Sequence, residues 1–362
     1  MKRLVNIACV LAIAVLCGSL ALGCDNRPRF VPPGGDSLGG APVDSFSRTA
    51  RAARERWEAD GGADGAAARL TAALLAYDLE LKPEFALAPR IRQLLDSLGF
   101  GVEVVEDDAV ALVNMFPRSD PTATSWPRLV WRDSLRVRTQ AVEGGGMRLS
   151  DLSLGPPSRP QSDTSAVQAA GLFLRSGPAG PQPIVFVWRR APRAGVWRLY
   201  QTLGPDSLGG TGTASFVPSD GESPALASRT WSRTPGFEEC ASCAHLFRKY
   251  EFHWGIEGFS RASEATEPSP YATFVRLVQA LSIPDDELAR EQLGDPSLID
   301  VARGLELGAR RANWRMAPGA EGAPGDELVF YRGPNEAYRI RFMRSFGVYR
   351  VTSIDTTRRA IE

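Results

Sequence analysis

Residues 184–200 read Ile-Val-Phe-Val-Trp-Arg-Arg-Ala-Pro-Arg-Ala-Gly-Val-Trp-Arg-Leu-Tyr. Five apolar residues, β-branched or aromatic, precede a short basic and Pro/Gly turn, and a second β-type run follows. That is the signature of two strands joined by a tight loop. On either side, similar runs fill the middle of the chain: 102–105, 110–116, 129–132, 135–142, 147–154 and 171–175 before it, then 197–203, 214–217, 225–231, 247–254 and 258–261 after it. The periodicity predicts an antiparallel, β-rich domain over residues 100–263.

The runs recur as units. One is Ala111-Leu-Val-Asn-Met-Phe, then Leu129-Val-Trp131-Arg, then Leu135-Arg-Val-Arg. The next is Gly171-Leu-Phe-Leu-Arg, Val185-Phe-Val-Trp188-Arg and Val196-Trp-Arg-Leu-Tyr, and a third centres on Trp231. Such units resemble propeller blades or stacked hairpins. A β-sandwich and a partial propeller both fit the pattern. The tryptophans are read as packing residues, since large aromatics dominate cores.

Helical patterns flank this domain. Residues 46–99 predict a helical cap in three pieces: Phe46–Ala59, Ala66–Leu81, and a third with Ile91, Leu94, Leu95 and Leu98 at i, i+3, i+4 and i+7. Residues 264–270 are expected to be a boundary. Beyond it Ser269 is placed to cap, and Pro270 to start, a helix carrying Tyr271, Phe274, Val275, Val278 and Leu281. Short helices are expected from Asp285 and Asp295, then strands 313–316, 327–331, 338–343 and 348–354, the last pair joined over Arg344-Ser-Phe-Gly347. Helices followed by an antiparallel sheet resemble the nuclear transport factor 2-like fold over 271–355. The expected class is α+β, mainly β, with residues 264–362 as a C-terminal α+β domain.

At the start of the chain, Met1-Lys2-Arg3 precedes an uncharged apolar run, Leu4–Leu22, and then Gly23-Cys24. This is the layout of a secretory signal. Leu20-Ala21-Leu22-Gly23-Cys24 resembles the lipobox of bacterial lipoproteins, with Ala21 where that family usually has Leu. The resemblance implies cleavage after residue 23, lipidation of Cys24 (palmitate among the acyl chains), and attachment to a bacterial cell-envelope membrane with the folded part on the periplasmic or extracellular side. An uncleaved transmembrane helix is the alternative for a run of this length. Residues 24–45, rich in Pro and Gly, are expected to be a disordered tether.

Composition closes off other classes. The 42 basic residues balance the 42 acidic ones, so there is no electrostatic footprint for nucleic acid. Lysine occurs only at Lys2, Lys82 and Lys249, which leaves little room for lysine-based covalent chemistry. Motifs for P-loops, zincins and serine hydrolases are absent from the sequence. Gly209-Gly-Thr-Gly212 reads as a loop between strands, and Asp107-Asp108 and Asp285-Asp286 as a turn and a helix start.

The sharpest local feature is Cys240-Ala-Ser-Cys243-Ala-His245, with His253 further on. A disulfide between Cys240 and Cys243 suits an exported protein. A metal site using Cys240, Cys243 and His245, with His253, has suitable ligand types. Two histidines eight residues apart on one strand, however, stand about 25 Å apart. A redox pair would want the motif at a helix start, and covalent haem would want histidine directly after the second cysteine. The expectation is a membrane-anchored, non-catalytic protein that binds a ligand or an envelope partner. Its membrane contact would be through the N-terminal lipid, and it would use no cofactor. An enzyme with a pocket in the C-terminal region, and a metal or redox site at the cysteines, are the alternatives.

Overall fold

The computed structural model describes residues 55, 65–80, 86–107, 110–120, 124–133, 136–142, 148–158, 167–190, 196–217, 225–241, 243–255, 258–283, 285–309, 313–317, 326–333 and 335–357. Cys24, the tether and the cap's first piece apart from Glu55 lie outside them. All the described residues belong to one unit, Arg48–Glu362. Its described part is mainly β, with four sheets and a few helices, as an α+β, mainly β class requires.

Three of the sheets are four-stranded antiparallel meanders that succeed one another along the chain. The first holds β1 (Phe100–Asp107), β2 (Val110–Pro117), β3 (Trp126–Asp133) and β4 (Arg136–Ala141). The second holds β5 (Leu149–Ser158), β6 (Val167–Gly177), β7 (Gly180–Arg190) and β8 (Trp197–Leu203). The third holds β9 (Thr211–Val217), β10 (Ala225–Trp231), β12 (Arg248–Gly255) and β13 (Gly258–Thr266).

Strand β7, which contains residues 184–190, explains the stacking. Side chains alternate across a strand, so each face carries every second residue. Phe186 and Trp188 pack with Val110, Leu112 and Trp131 of the first sheet. Val185 and Val187 pack with Leu226, Tyr250 and Phe252 of the third. A sheet buried on both faces needs an unbroken apolar run, and 184–188 supplies it. Gly171 on β6 lies where Trp188 crosses, and a Cβ there would fall 2.5 Å from Leu112 Cδ1.

The repeat in the sequence is real but misaligned. Trp131 and Trp188 occupy the third strands of their meanders, β3 and β7, whereas Trp231 ends the second strand, β10. The third-strand tryptophan of the third sheet is Trp254, on β12. Each unit also has a fourth strand, β1, β5 or β13. The register slips because residues 232–247 leave the third sheet between β10 and β12.

The outer face of the first sheet is covered by α1 (Gly65–Glu80), which packs on β4, and α2 (Leu87–Ser97), which packs on β1. In α2 the predicted stripe Ile91, Leu94, Leu95 and Leu98 is buried. This helix has no capping side chain of its own. Instead Glu106 of β1 accepts hydrogen bonds from Leu87 N (3.0 Å) and Ala88 N (2.7 Å), satisfying amides that a helix start leaves open.

Between β8 and β9 a single turn, α3 (Pro205–Leu208), ends at the glycine run 209–212. Gly210 has φ 113°, and a Cβ there would sit 2.2 Å from Trp231 O. The run brings the start of β9 against β10, as a loop between strands would.

The fourth sheet has the order β11 (Phe237–Glu238), β14 (Trp314–Met316), β15 (Glu327–Arg332), β16 (Glu336–Ser345), β17 (Val348–Thr357). It is antiparallel except for the two-residue β11–β14 pair. Helices α4 (Pro270–Ser282), α5 (Asp286–Glu291) and α6 (Leu298–Gly304) accompany it. Ser269 caps α4 as predicted, its Oγ accepting from Ala272 N at 3.0 Å. Asp285 caps α5 through Leu288 N. Phe274 stacks on Phe330 (3.9 Å between centroids) and meets Trp314 edge-on, forming the centre of the C-terminal core.

The break expected at 264 is not a break in the backbone ladder. Strand β13 continues to Thr266, with Glu264 opposite Tyr250 and Thr266 opposite Arg248. Its outer side is polar and held by ion pairs such as Arg248–Glu264 and Arg229–Glu267, so it has the composition of a linker while pairing as a strand.

Candidate functional site

The segment that leaves the third sheet, residues 232–247, carries the residues singled out by sequence. After Trp231 the chain turns at Thr234–Phe237, where Phe237 N donates to Thr234 O. Residues 237–238 then add β11 to the edge of the fourth sheet. Phe237 and Leu246 sit in the C-terminal core beside Tyr271 and Phe274. Residues expected to belong to the middle domain therefore help to build the core of the next one.

Within this segment Cys240 and Cys243 are joined in a disulfide with their Cα atoms 5.1 Å apart, and Cys243 N donates to Cys240 O. Cys240 is exposed and Cys243 half-buried. His245 is buried, and its ring lies flat on Trp231, 3.4 Å between centroids and 7° between planes. Its Nε2 approaches Ala241 O at 3.4 Å, and Phe247 meets it edge-on. His245 precedes β12 rather than lying on it. His253 lies on β12 opposite Ser260. The two histidines do not share a strand, and no group of three His, Cys, Asp or Glu that could hold a metal ion forms among the described residues. A metal at Cys240 and Cys243 would first require reduction of their bond.

Next to the disulfide lies a pair that sequence reasoning missed. Glu239 accepts a hydrogen bond from Tyr271 Oη (2.7 Å) and one from Thr234 N (3.1 Å). Burial, reinforced by the hydrogen bond to and charge of Glu239, pushes the Tyr271 phenol well above its ordinary value. The hydrogen bond fastens Glu239, beside the disulfide, to the start of α4. Nothing in the local sequence marks Glu239, since Tyr271 is distant in the chain.

A second missed group borders the same core, at Tyr338. Arg332 donates to Leu305 O (3.0 Å), Glu306 O (2.6 Å) and Tyr338 Oη (2.6 Å), and pairs with Glu336. Hydrogen bonding from Arg332 holds the Glu336 carboxyl below its usual range, while burial raises the Tyr338 phenol. The guanidinium closes the carbonyl end of α6, a structural role that the open C-terminal carbonyls of a helix invite. Tyr331 and Tyr338 are buried and Tyr349 is half-buried.

No protein-family model matches the chain, and no curated protein and no solved structure is detectably similar to it. The functional reading therefore rests on the sequence and on this geometry.

Proposed function

We propose that this chain is a membrane-anchored lipoprotein of the bacterial cell envelope, lipidated at Cys24, whose folded part binds a ligand or a partner protein without catalysing a reaction. The observation that carries the reading is the leader: Lys2-Arg3, an uncharged apolar run to Leu22, and a small residue before Cys24. The Cys240–Cys243 bond supports it, because disulfides persist in exported proteins and are rare in reducing compartments. The Glu239–Tyr271 and Arg332–Tyr338 hydrogen bonds, each on a buried tyrosine, also support it: those polar atoms are spent on structure. At the level of fold, we read the three meanders as an arc of propeller-like blades and the C-terminal region as nuclear transport factor 2-like. That reading is supported by consecutive four-stranded units and by helices preceding an antiparallel sheet.

Metabolic labelling with radioactive palmitate tests the anchor. The full chain takes up label in a bacterial host, and Cys24→Ala takes up none. Equal labelling of both, or of neither, overturns the proposal. For the binding role, pull-down from detergent-solubilised envelope, with the protein cross-linked in cells, is expected to recover a stoichiometric partner.

A further inference from the structure

The hairpin joining β16 and β17 ends in a two-residue turn, Phe346-Gly347, closed by Ser345 opposite Val348. Both turn residues have positive φ, 50° and 81°, the pattern of the tight hairpin turns that favour Asn-Gly. A bulky residue in the left-handed region is disfavoured by its own Cβ. Phe346 accepts this strain while making no aromatic contact among the described residues, and the residue is 103% exposed. Beside it Met343 is 52% and Val348 51% exposed. Local folding explains none of this, because Asn at position 346 would relieve the strain and the exposure together.

The surroundings select the occupant. Arg344 and Arg350 flank the apolar tip, both exposed and neither with an acidic partner among the described residues. Arg344 lies over the Tyr349 ring, and Arg350 sits opposite Met343. The tip is convex. Three such side chains expose roughly 400 Å² at most, about half of what one partner contributes to a stable protein interface. An apolar point with an aromatic at its apex and arginines at its shoulders matches the boundary of an anionic bilayer, where acyl chains take the apex and lipid phosphates take the guanidinium groups.

We propose that the Phe346 hairpin tip is a second, non-covalent membrane contact that inserts into anionic lipid. The inference rests on the membrane location proposed above, and the experiment separates the two. Full-length protein is reconstituted into vesicles of mixed neutral and anionic phospholipid, with and without brominated acyl chains. Flotation of Phe346→Asn protein with the vesicles reads the N-terminal anchor alone. Phe346→Trp reads the tip: bromine should quench a component of its fluorescence that the wild type lacks, and this extra quenching should be lost in purely neutral vesicles. Phe346→Asn serves as the second variant. It should raise the melting temperature and abolish the vesicle-dependent protection of the 344–349 amides from hydrogen exchange. Flotation without extra quenching overturns the tip and leaves the anchor standing. Failure of Phe346→Asn protein to float, with the extra quenching of Phe346→Trp intact, overturns the anchor alone. Concentration-dependent self-association that Phe346→Asn removes would assign the tip to a second copy of the chain and overturn the lipid proposal.

Discussion

The central meander and the C-terminal sheet are both antiparallel, yet they solve opposite packing problems. Strand β7 gives both faces to a core, Phe186 and Trp188 on one side, Val185 and Val187 on the other. Strand β16 gives mainly one face: Tyr338, Ile340 and Phe342 point into the core shared with α4, and on the other side only Ala337 is buried, beside Tyr331. Arg339 and Arg341 point away and pair with Glu327. A sheet with two buried faces tolerates no polar alternation, while a sheet with one requires it. The same difference governs what can be exposed at the ends. The β16–β17 hairpin runs past its core and carries Phe346 into solvent, whereas in the central sheet the side chains of Trp188 and Trp197 are almost fully buried.

Of the two sheets, the central one should be the more sensitive to substitution. Trp188→Ala empties a site packed between sheets and is expected to cost about 3–5 kcal/mol in denaturant unfolding. Met343→Ala, on the outward side of β16, should change stability by less than about 0.5 kcal/mol. Equal costs would show that the two sheets are not buried differently.

The disulfide gives the next largest effect. Cys240→Ala should cost about 2 kcal/mol for so short a loop, and the loss should vanish when wild type and variant are compared under reductant. A cost that persists under reductant would assign it to packing instead. In the first meander, Glu106→Ala should cost about 1 kcal/mol by uncapping α2, with hydrogen exchange accelerating at 87–88 before it does elsewhere.

A smaller effect than that of Glu106 is pH-dependent. The hydrogen bond from Arg229 holds the Glu267 carboxyl below its usual value, with the Arg229 and Lys249 charges adding to it. A depressed carboxylate contributes stability above its unfolded value, about pH 4.3, and loses it as pH falls through the lower folded value. For this partly exposed pair the contribution is under about 1 kcal/mol. Glu267→Gln should lower stability at neutral pH by that amount and flatten the acid limb of the profile. An unchanged acid limb would show that the pair is silent.

Most of the architecture is legible in the sequence because its signals are local. The run 184–188, the α2 stripe and the Ser269-Pro270 helix start each specify their own element, and the structure has all three. The third repeat misleads because Trp231 imitates Trp131 and Trp188, while the true counterpart, Trp254, lies beyond an excursion that no periodicity announces. Strand β13 looks shorter in sequence than it is because its outer residues are charged, and only their cross-strand partners reveal them as a ladder. At the candidate site the cysteine pair is visible from spacing alone. The stacking of His245 on Trp231 and the Tyr271–Glu239 bond depend on contacts made when 232–247 crosses to another sheet. Arg128, just before the expected run 129–132, is the limiting case: no local pattern marks it, yet it is buried, and burial together with the charge of Arg69 pushes its pKa down.

The functional reading stands on one proposition: an exported, lipid-anchored chain carries a disulfide-pinned fold. Its sharpest test is intact mass spectrometry of the protein taken from its own envelope, alkylated with and without reductant. The expected species begins at Cys24 and carries the mass of a diacylglyceryl group. No thiol should be alkylated before reduction, and two should be after it. A chain that retains residues 1–23, with Cys24, Cys240 and Cys243 all alkylated without reductant, would refute the proposition.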